Sequence, residues 1–184
     1  REAFRREIIS LKERRRVSVG PVISFVFENR DTIRFQVQEM ARVERMITDE
    51  AIQSELDAYN PLIPDPGELS ATMFIELTDD AGMRNWLPKL VGVERTASLR
   101  IGAPGSGNGG FDVVSSIPEA SHEENLTRDS VTAAVHYIRF ELDAGEVERF
   151  AAGPVELRVD HPEYHYGTPL TDITRVELLR DLRP

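Results

Sequence analysis

The chain opens on apolar residues at helical spacing. Phe4, Ile8 and Leu11, with Ile9 beside them, predict an amphipathic helix over residues 2–15, and Gly20-Pro21 stops it. A period of two follows. Ile23, Phe25 and Phe27 share one face; Val22, Ser24, Val26 and Glu28 share the other. After the polar turn Glu28-Asn29-Arg30-Asp31, Ile33, Phe35 and Val37 alternate with Thr32, Arg34, Gln36 and Gln38. Two alternating runs around a short polar turn predict a β-hairpin. The spacing then returns to helical at Met40, Val43 and Ile47. Thr48 is placed to cap a new helix, with Asp49 and Glu50 in its acidic first turn and Ile52, Leu56 and Tyr59 as its stripe. Three prolines between Asn60 and Gly67 require a loop or extended segment.

Further along, residues 71–77 read as a strand, and Asp79 to Leu90 as a helix with Trp86, Leu87 and Leu90 inward, weakened by Pro88. Short strands are expected at Ala97 to Ile101 and Phe111 to Val114, on either side of a Gly-rich loop over 102–110. Residues 118–129, which include His122-Glu123-Glu124, read as loop. A strand over 131–142 places Val131, Ala133, Val135, Tyr137 and Arg139 on one face. Asp143 and Glu146 have capping-box spacing and Gly153-Pro154 is the matching stop, so 144–152 is a short helix. Val155, Leu157 and Val159 alternate in what reads as the last strand. Ile173, Val176, Leu179 and Leu182 are the stripe of a closing helix. This order lacks a regular β-α-β alternation. It predicts a single α+β domain over 1–184: a mixed, largely antiparallel sheet with helices packed on it.

Composition narrows the function classes. The chain has 184 residues, no Cys and a formal net charge of −10. It can bury a core without staples, and it has no thiolate for a disulfide, an Fe–S cluster or a Cys-based zinc site. The uncharged stretch Val17 to Phe27 contains Gly20, Pro21 and Ser24 and ends at Glu28, too short and broken to span a membrane. The N-terminus lacks the apolar core and cleavage site of a secretory signal, so a cytoplasmic protein is expected. Residues 1–20 carry +4, with 1–16 forming a basic N-terminal helix, and the remainder carries −14. That balance argues against general nucleic-acid binding, and leaves room for one local anionic contact.

Candidate chemistry is sparse. Gly105 to Gly110 satisfies G-x-G-x-x-G, but a strand-like Phe111-Asp112-Val113-Val114 follows where a dinucleotide site needs a helix. There is no G-x-S-x-G elbow. The pairs Asp79-Asp80 and Glu123-Glu124 are sequence neighbours whose side chains diverge. Four histidines are present, and His136, His161 and His165 are the candidate ligands for a divalent metal such as Zn, Fe or Mn. His161 and His165 have the i,i+4 spacing of a helical pair, which Pro162 disfavours; His136 reads equally as a core histidine. The segment from Arg30 to Arg45 gathers Arg30, Arg34, Gln38, Glu39 and Arg42 at a strand-to-helix junction beside Glu28. Such side chains suit a small anionic ligand, an internal Arg–carboxylate network or a protein interface.

Several segments resemble one bacterial family of domains of unknown function, numbered 3501. They are Phe27-Glu28-Asn29-Arg30-Asp31-Thr32, Gln36-Val37-Gln38-Glu39-Met40, Tyr59-Asn60-Pro61-Leu62-Ile63-Pro64, Ala71-Thr72-Met73-Phe74-Ile75-Glu76, Val135-His136-Tyr137-Ile138-Arg139-Phe140 and Asp160-His161-Pro162-Glu163-Tyr164. Arg14-Arg15-Arg16-Val17 with Gly20-Pro21 adds to the likeness, which runs from Arg5 to Leu182. The resemblance implies no assigned activity. It implies a cytoplasmic role near rubrerythrin-like and Fe–S redox proteins, with any cluster held by a partner, and it adds Tyr164 to the positions worth testing. The expectation is a non-catalytic accessory or interaction domain, with a redox partner protein or a homo-oligomer as its assembly and no membrane association. The alternatives are a small metal-dependent enzyme with a His/Glu site and a binder of a small anion at the Arg cluster.

Overall fold

The computed structural model describes residues 2–102, 110–119 and 131–184. Those residues form six helices and nine strands: α1 (Glu2–Arg15), β1 (Arg16–Val19), β2 (Ile23–Glu28), α2 (Arg30–Val43), α3 (Asp49–Tyr59), β3 (Glu68–Ile75), α4 (Asp80–Trp86), β4 (Ala97–Ile101), β5 (Asp112–Ser115), β6 (Ile117–Pro118), β7 (Val135–Glu141), α5 (Ala144–Ala152), β8 (Val155–His161), β9 (Tyr164–Pro169) and α6 (Asp172–Leu182). Single 3-10 turns occupy Asn60–Leu62 and Val93–Arg95. The Gly-rich segment 103–109 and His122-Glu123-Glu124 lie outside the described residues.

The expected α+β class holds, and the one expected sheet resolves into two. The first has the order β1-β2-β3-β7-β6 and the second β5-β4-β8-β9, with every pairing antiparallel. Ile23, Phe25 and Phe27 of β2 and Leu69, Ala71 and Met73 of β3 face Leu99, Leu157 and Val159 of the second sheet, all at most 1 % exposed. Edges are covered at both seams. On one side β5 runs through Ser116 into β6, and the Ser116 N–H donates to Ala97 O (2.9 Å). On the other, the Thr168 hydroxyl of β9 donates to Ser18 O (2.7 Å), and the Tyr164 hydroxyl donates to Val19 O (2.6 Å) while accepting from Val22 N–H (3.1 Å) and Ile23 N–H (3.2 Å). Gly20 turns the chain there at φ +72°, and a Cβ would meet the Tyr164 hydroxyl at 2.5 Å.

The expected hairpin over 23–38 is not formed. β2 is a strand, and Arg30–Val43 is a helix. Asn29 accepts from Asp31 N–H and Thr32 N–H, and the Thr32 hydroxyl accepts from Asn29 N–H, a reciprocal cap in place of a turn. Ile33 and Val37 are four apart and buried on one helical face. Phe35, also in the alternation, packs on α1, its ring centroid 6.3 Å from that of Phe4.

Smaller corrections have similar causes. β1 and β9 are short and were masked by polar residues at alternate positions. Val155–His161 is therefore not the last strand: Pro162-Glu163 turns it into β9, pairing His161 with Tyr164 and Asp160 with His165. On α6 the expected stripe is rotated. Ile173 and Val176 are exposed, while Thr174, Glu177, Leu178 and Leu182 face inward.

Glu177 faces inward because Arg15 is there. Arg15, 1 % exposed, donates from Nε and Nη2 to Glu177 Oε1 (3.2 and 3.0 Å) and from Nη1 and Nη2 to Asp181 (2.6 and 3.0 Å). Burial works against the guanidinium charge; the bonds and fields of Asp181 and Glu177 more than offset it, so its pKa is raised. Removing one partner of such a group strands the others in low dielectric. Arg15→Met is expected to cost about 3–5 kcal/mol in urea unfolding, with Glu177→Gln and Asp181→Asn together restoring part of it. A loss below about 1 kcal/mol would place the clamp among weak surface pairs.

Candidate functional site

Glu28 is the last residue of β2, just before the Asn29 cap of α2. The pleat decides where it points. Phe25 and Phe27 face the other sheet, so Ser24, Val26 and Glu28 face the helices that cover the outer side. Thr72 and Phe74 of β3 and Val135 and Tyr137 of β7 share that outer face by the pairing register. Together with Ile33 and Gln36 of α2, Lys12 of α1, and Tyr59 and Leu62 at the end of α3, they line a cavity of about 190 Å³.

Glu28 is 6 % exposed. Its Oε1 accepts from the Thr72 hydroxyl (2.7 Å), and its Oε2 is buried without a hydrogen-bond partner. Burial raises the Tyr137 phenol well above the ordinary tyrosine range, with the Tyr59 hydroxyl bonded to it and the Glu28 charge nearby adding to the effect. It therefore stays protonated. Lys12, the lining cation, holds its ammonium 5.8 Å from the centroid of the Phe35 ring. Arg139 fixes the Tyr59 end of the cavity: its Nη2 donates to Pro61 O (3.0 Å) and Glu119 (3.3 Å), and Nη1 lies 3.6 Å from Glu68.

Other residues singled out in the sequence lie elsewhere. Arg30, Arg34, Gln38 and Arg42 run along the exposed side of α2. The Arg34 guanidinium sits 5.4 Å from the Phe4 centroid, and Arg42 donates to Glu39 (2.9 Å). Tyr164 is the hydroxyl at the β1–β9 seam. The three histidines are held separately. His161 Nε2 donates to Val91 O (3.0 Å), and its Nδ1 accepts from Glu163 N–H (3.2 Å), so one ring nitrogen holds the β8–β9 turn and the other ties it to the segment before β4. His165 is exposed, 3.6 Å from Asp160. His136 is buried in the interior; its Nε2 contacts Thr132 Oγ1 (2.8 Å) and Ala133 O (2.9 Å), and its Nδ1 is 4.0 Å from the buried Glu94. Among the described residues no three His, Asp or Glu converge on a point that could hold a metal.

Thus Glu28 is the one candidate that enters the cavity. Lys12, Gln36, Tyr59, Thr72 and Tyr137 were not among the expected site residues. All but Lys12 lie within the segments that carry the family resemblance: 27–32, 36–40, 59–64, 71–76 and 135–140 each send a side chain into this one space.

The architecture and the comparisons agree. This is an α+β protein with two antiparallel sheets and a helix-covered cavity. Residues 1–182 match the model of the family described as protein of unknown function DUF3501, and the chain belongs to that family. It is also similar to the crystal structure of a novel protein of unknown function from Burkholderia pseudomallei K96243. That structure is 34% identical, with a TM-score of 0.85 over 98% of this chain and 90% of that one. No curated protein matches the chain. Among the described residues no helix is long and apolar enough to cross a membrane.

The Tyr137 environment has a direct readout. A raised folded pKa means stability is retained below the ordinary tyrosine value of 10.0 and lost as pH climbs above it. In a 295 nm titration, Tyr137→Phe is expected to leave the curve of the folded protein unchanged between about pH 9 and 11. Loss of one ordinary tyrosine step in that range would contradict a buried, protonated phenol.

Proposed function

We propose that the protein binds a small molecule in the cavity at the β2–α2 junction, with Glu28 as the recognising group. The carrying observation is the buried, unpartnered Oε2 of Glu28 at the wall of a space lined by both polar and apolar side chains. A buried carboxylate oxygen without a donor costs free energy in the empty protein. Such a cost persists where a ligand supplies the missing partner. Among the described residues the lining holds one carboxylate and no imidazole, which supports binding rather than acid–base chemistry by a paired set. At 190 Å³ the space suits a molecule smaller than a typical drug-sized ligand.

A second reading, an accessory protein for a redox partner or for a second copy of the chain, draws support from the outer side of α2. Arg30, Arg34 and Gln38 and the Glu39–Arg42 pair form a charged strip, with Val43 (63 % exposed) and Ile47 (93 % exposed) beyond it. Because the chain has no Cys, any Fe–S cluster in such an assembly belongs to the partner. The two readings are compatible, since α2 roofs the cavity with one face and presents this strip with the other. A cytoplasmic setting goes with the second.

The test is a stability measurement. Glu28→Gln keeps an acceptor for Thr72 and removes the unpaired charge. It is expected to stabilise the ligand-free protein by about 1 kcal/mol in urea unfolding at neutral pH. A loss of more than about 1 kcal/mol would show that the carboxylate holds the fold together.

A further inference from the structure

The chemistry of the cavity restricts what can enter it; this step rests on reading the cavity as a ligand site. Glu28 Oε1 is engaged by Thr72, so Oε2 is the open position. Of the tyrosine hydroxyls lining the space, Tyr59 and Tyr137 bond to each other. Lys12 forms no ion pair with Glu28, its ammonium lying over the Phe35 ring. The remaining walls are the rings of Phe74, Tyr59 and Tyr137, the side chains of Ile33, Leu62 and Val135, and the Gln36 amide.

Three ligand classes can be compared against these groups. An anion would meet a like charge at close range in a low-dielectric space. A neutral donor would satisfy the geometry of Oε2 and leave its charge uncompensated. A cation satisfies both, and aromatic ring faces attract it further. Size sets the rest. A cavity of about 150 Å³ is enough to take benzene, and this one has about 190 Å³. We infer that the ligand is a compact organic monocation, an ammonium or amidinium group on an apolar body little larger than a benzene ring, held with its charged end on Glu28 Oε2.

Three matched probes test this on the full chain: benzylammonium, benzyl alcohol and benzoate, titrated into uniformly 15N-labelled protein. The readout is the backbone amide shifts of Glu28, Tyr59, Thr72 and Tyr137. Benzylammonium is expected to bind at least about tenfold more tightly than either comparator, and Glu28→Gln is expected to abolish that preference. Equal or tighter binding of benzyl alcohol or benzoate to the parent protein would overturn the cation assignment and leave the cavity standing as a ligand site. This comparison needs no variant, so it holds even if Glu28→Gln folds poorly. A preference that survives in Glu28→Gln would overturn Glu28 as the recognising group. Silence of all four amides toward all three probes would overturn both the cation assignment and the site itself.

Discussion

One buried guanidinium joins the two ends of the chain. Arg15 closes α1 and bonds to Glu177 and Asp181 on α6, across 162 and 166 residues of sequence. α6 is in turn tied to the first sheet, where Gly67 N–H donates to Leu182 O (3.2 Å). The position of α1 is thus set by a multidentate contact in low dielectric, which tolerates little displacement. What α1 carries then falls into place. Phe4 meets Phe35, Arg34 lies over Phe4, and Lys12 reaches the rim of the Glu28 cavity. The roof of the cavity is α2, and α2 is held partly by α1. The clamp and the cavity are separate pieces of chemistry, but the second depends on the first for its shape.

The two sheets have a different task. The nine described antiparallel strands would expose several edges, and the seams at Ser116 and at Tyr164–Thr168 cover them. With one face of the first sheet committed to the core, its outer face is free to carry polar groups under helices. Ser24, Glu28 and Thr72 are there, each buried and each near a polar partner. Ser24 donates to Glu76, which also pairs with Arg16 and has its pKa lowered by those contacts. Glu28 has the same kind of hydroxyl donor as Glu76, but it is buried where Glu76 is exposed, and it has no ion-pair partner among the described residues. α3, which supplies the Tyr59 end of the cavity wall, buries no residue fully. It packs mainly against α2.

Where local signals agreed with one another, the sequence was readable. Asp143 and Glu146 located α5, Thr48 located α3, and β4 was read to its ends. The segment 29–38 misled because Ile33, Phe35 and Val37 fit period two and, in part, period four. Asn29 and Thr32 at capping distance were the discriminating pair. The rotation of α6 was not legible, because its inward face includes Glu177, and a charge faces inward only where a distant cation waits for it. The cavity was hidden for a related reason. Its residues come from α1, β2, α2, α3, β3 and β7, and only the pairing register brings them together. Glu28 alone was accessible from sequence, as a carboxylate closing a strand inside a segment that resembles the family. The Arg residues beside it were equally prominent in sequence and lie on the solvent side of the helix, a distinction that a one-residue change in phase decides.

The proposed ligand site rests on Glu28 Oε2 being an open position. A crystal structure of the protein soaked with benzylammonium addresses it at the atom concerned. The expected result is a nitrogen 2.7–2.9 Å from Oε2, with the ring against Phe74 and Tyr137 and Thr72 still on Oε1. A cavity closed by Lys12 or Tyr59 turned onto Oε2, with no probe inside, would contradict the claim and make Glu28 part of the structure's own polar network.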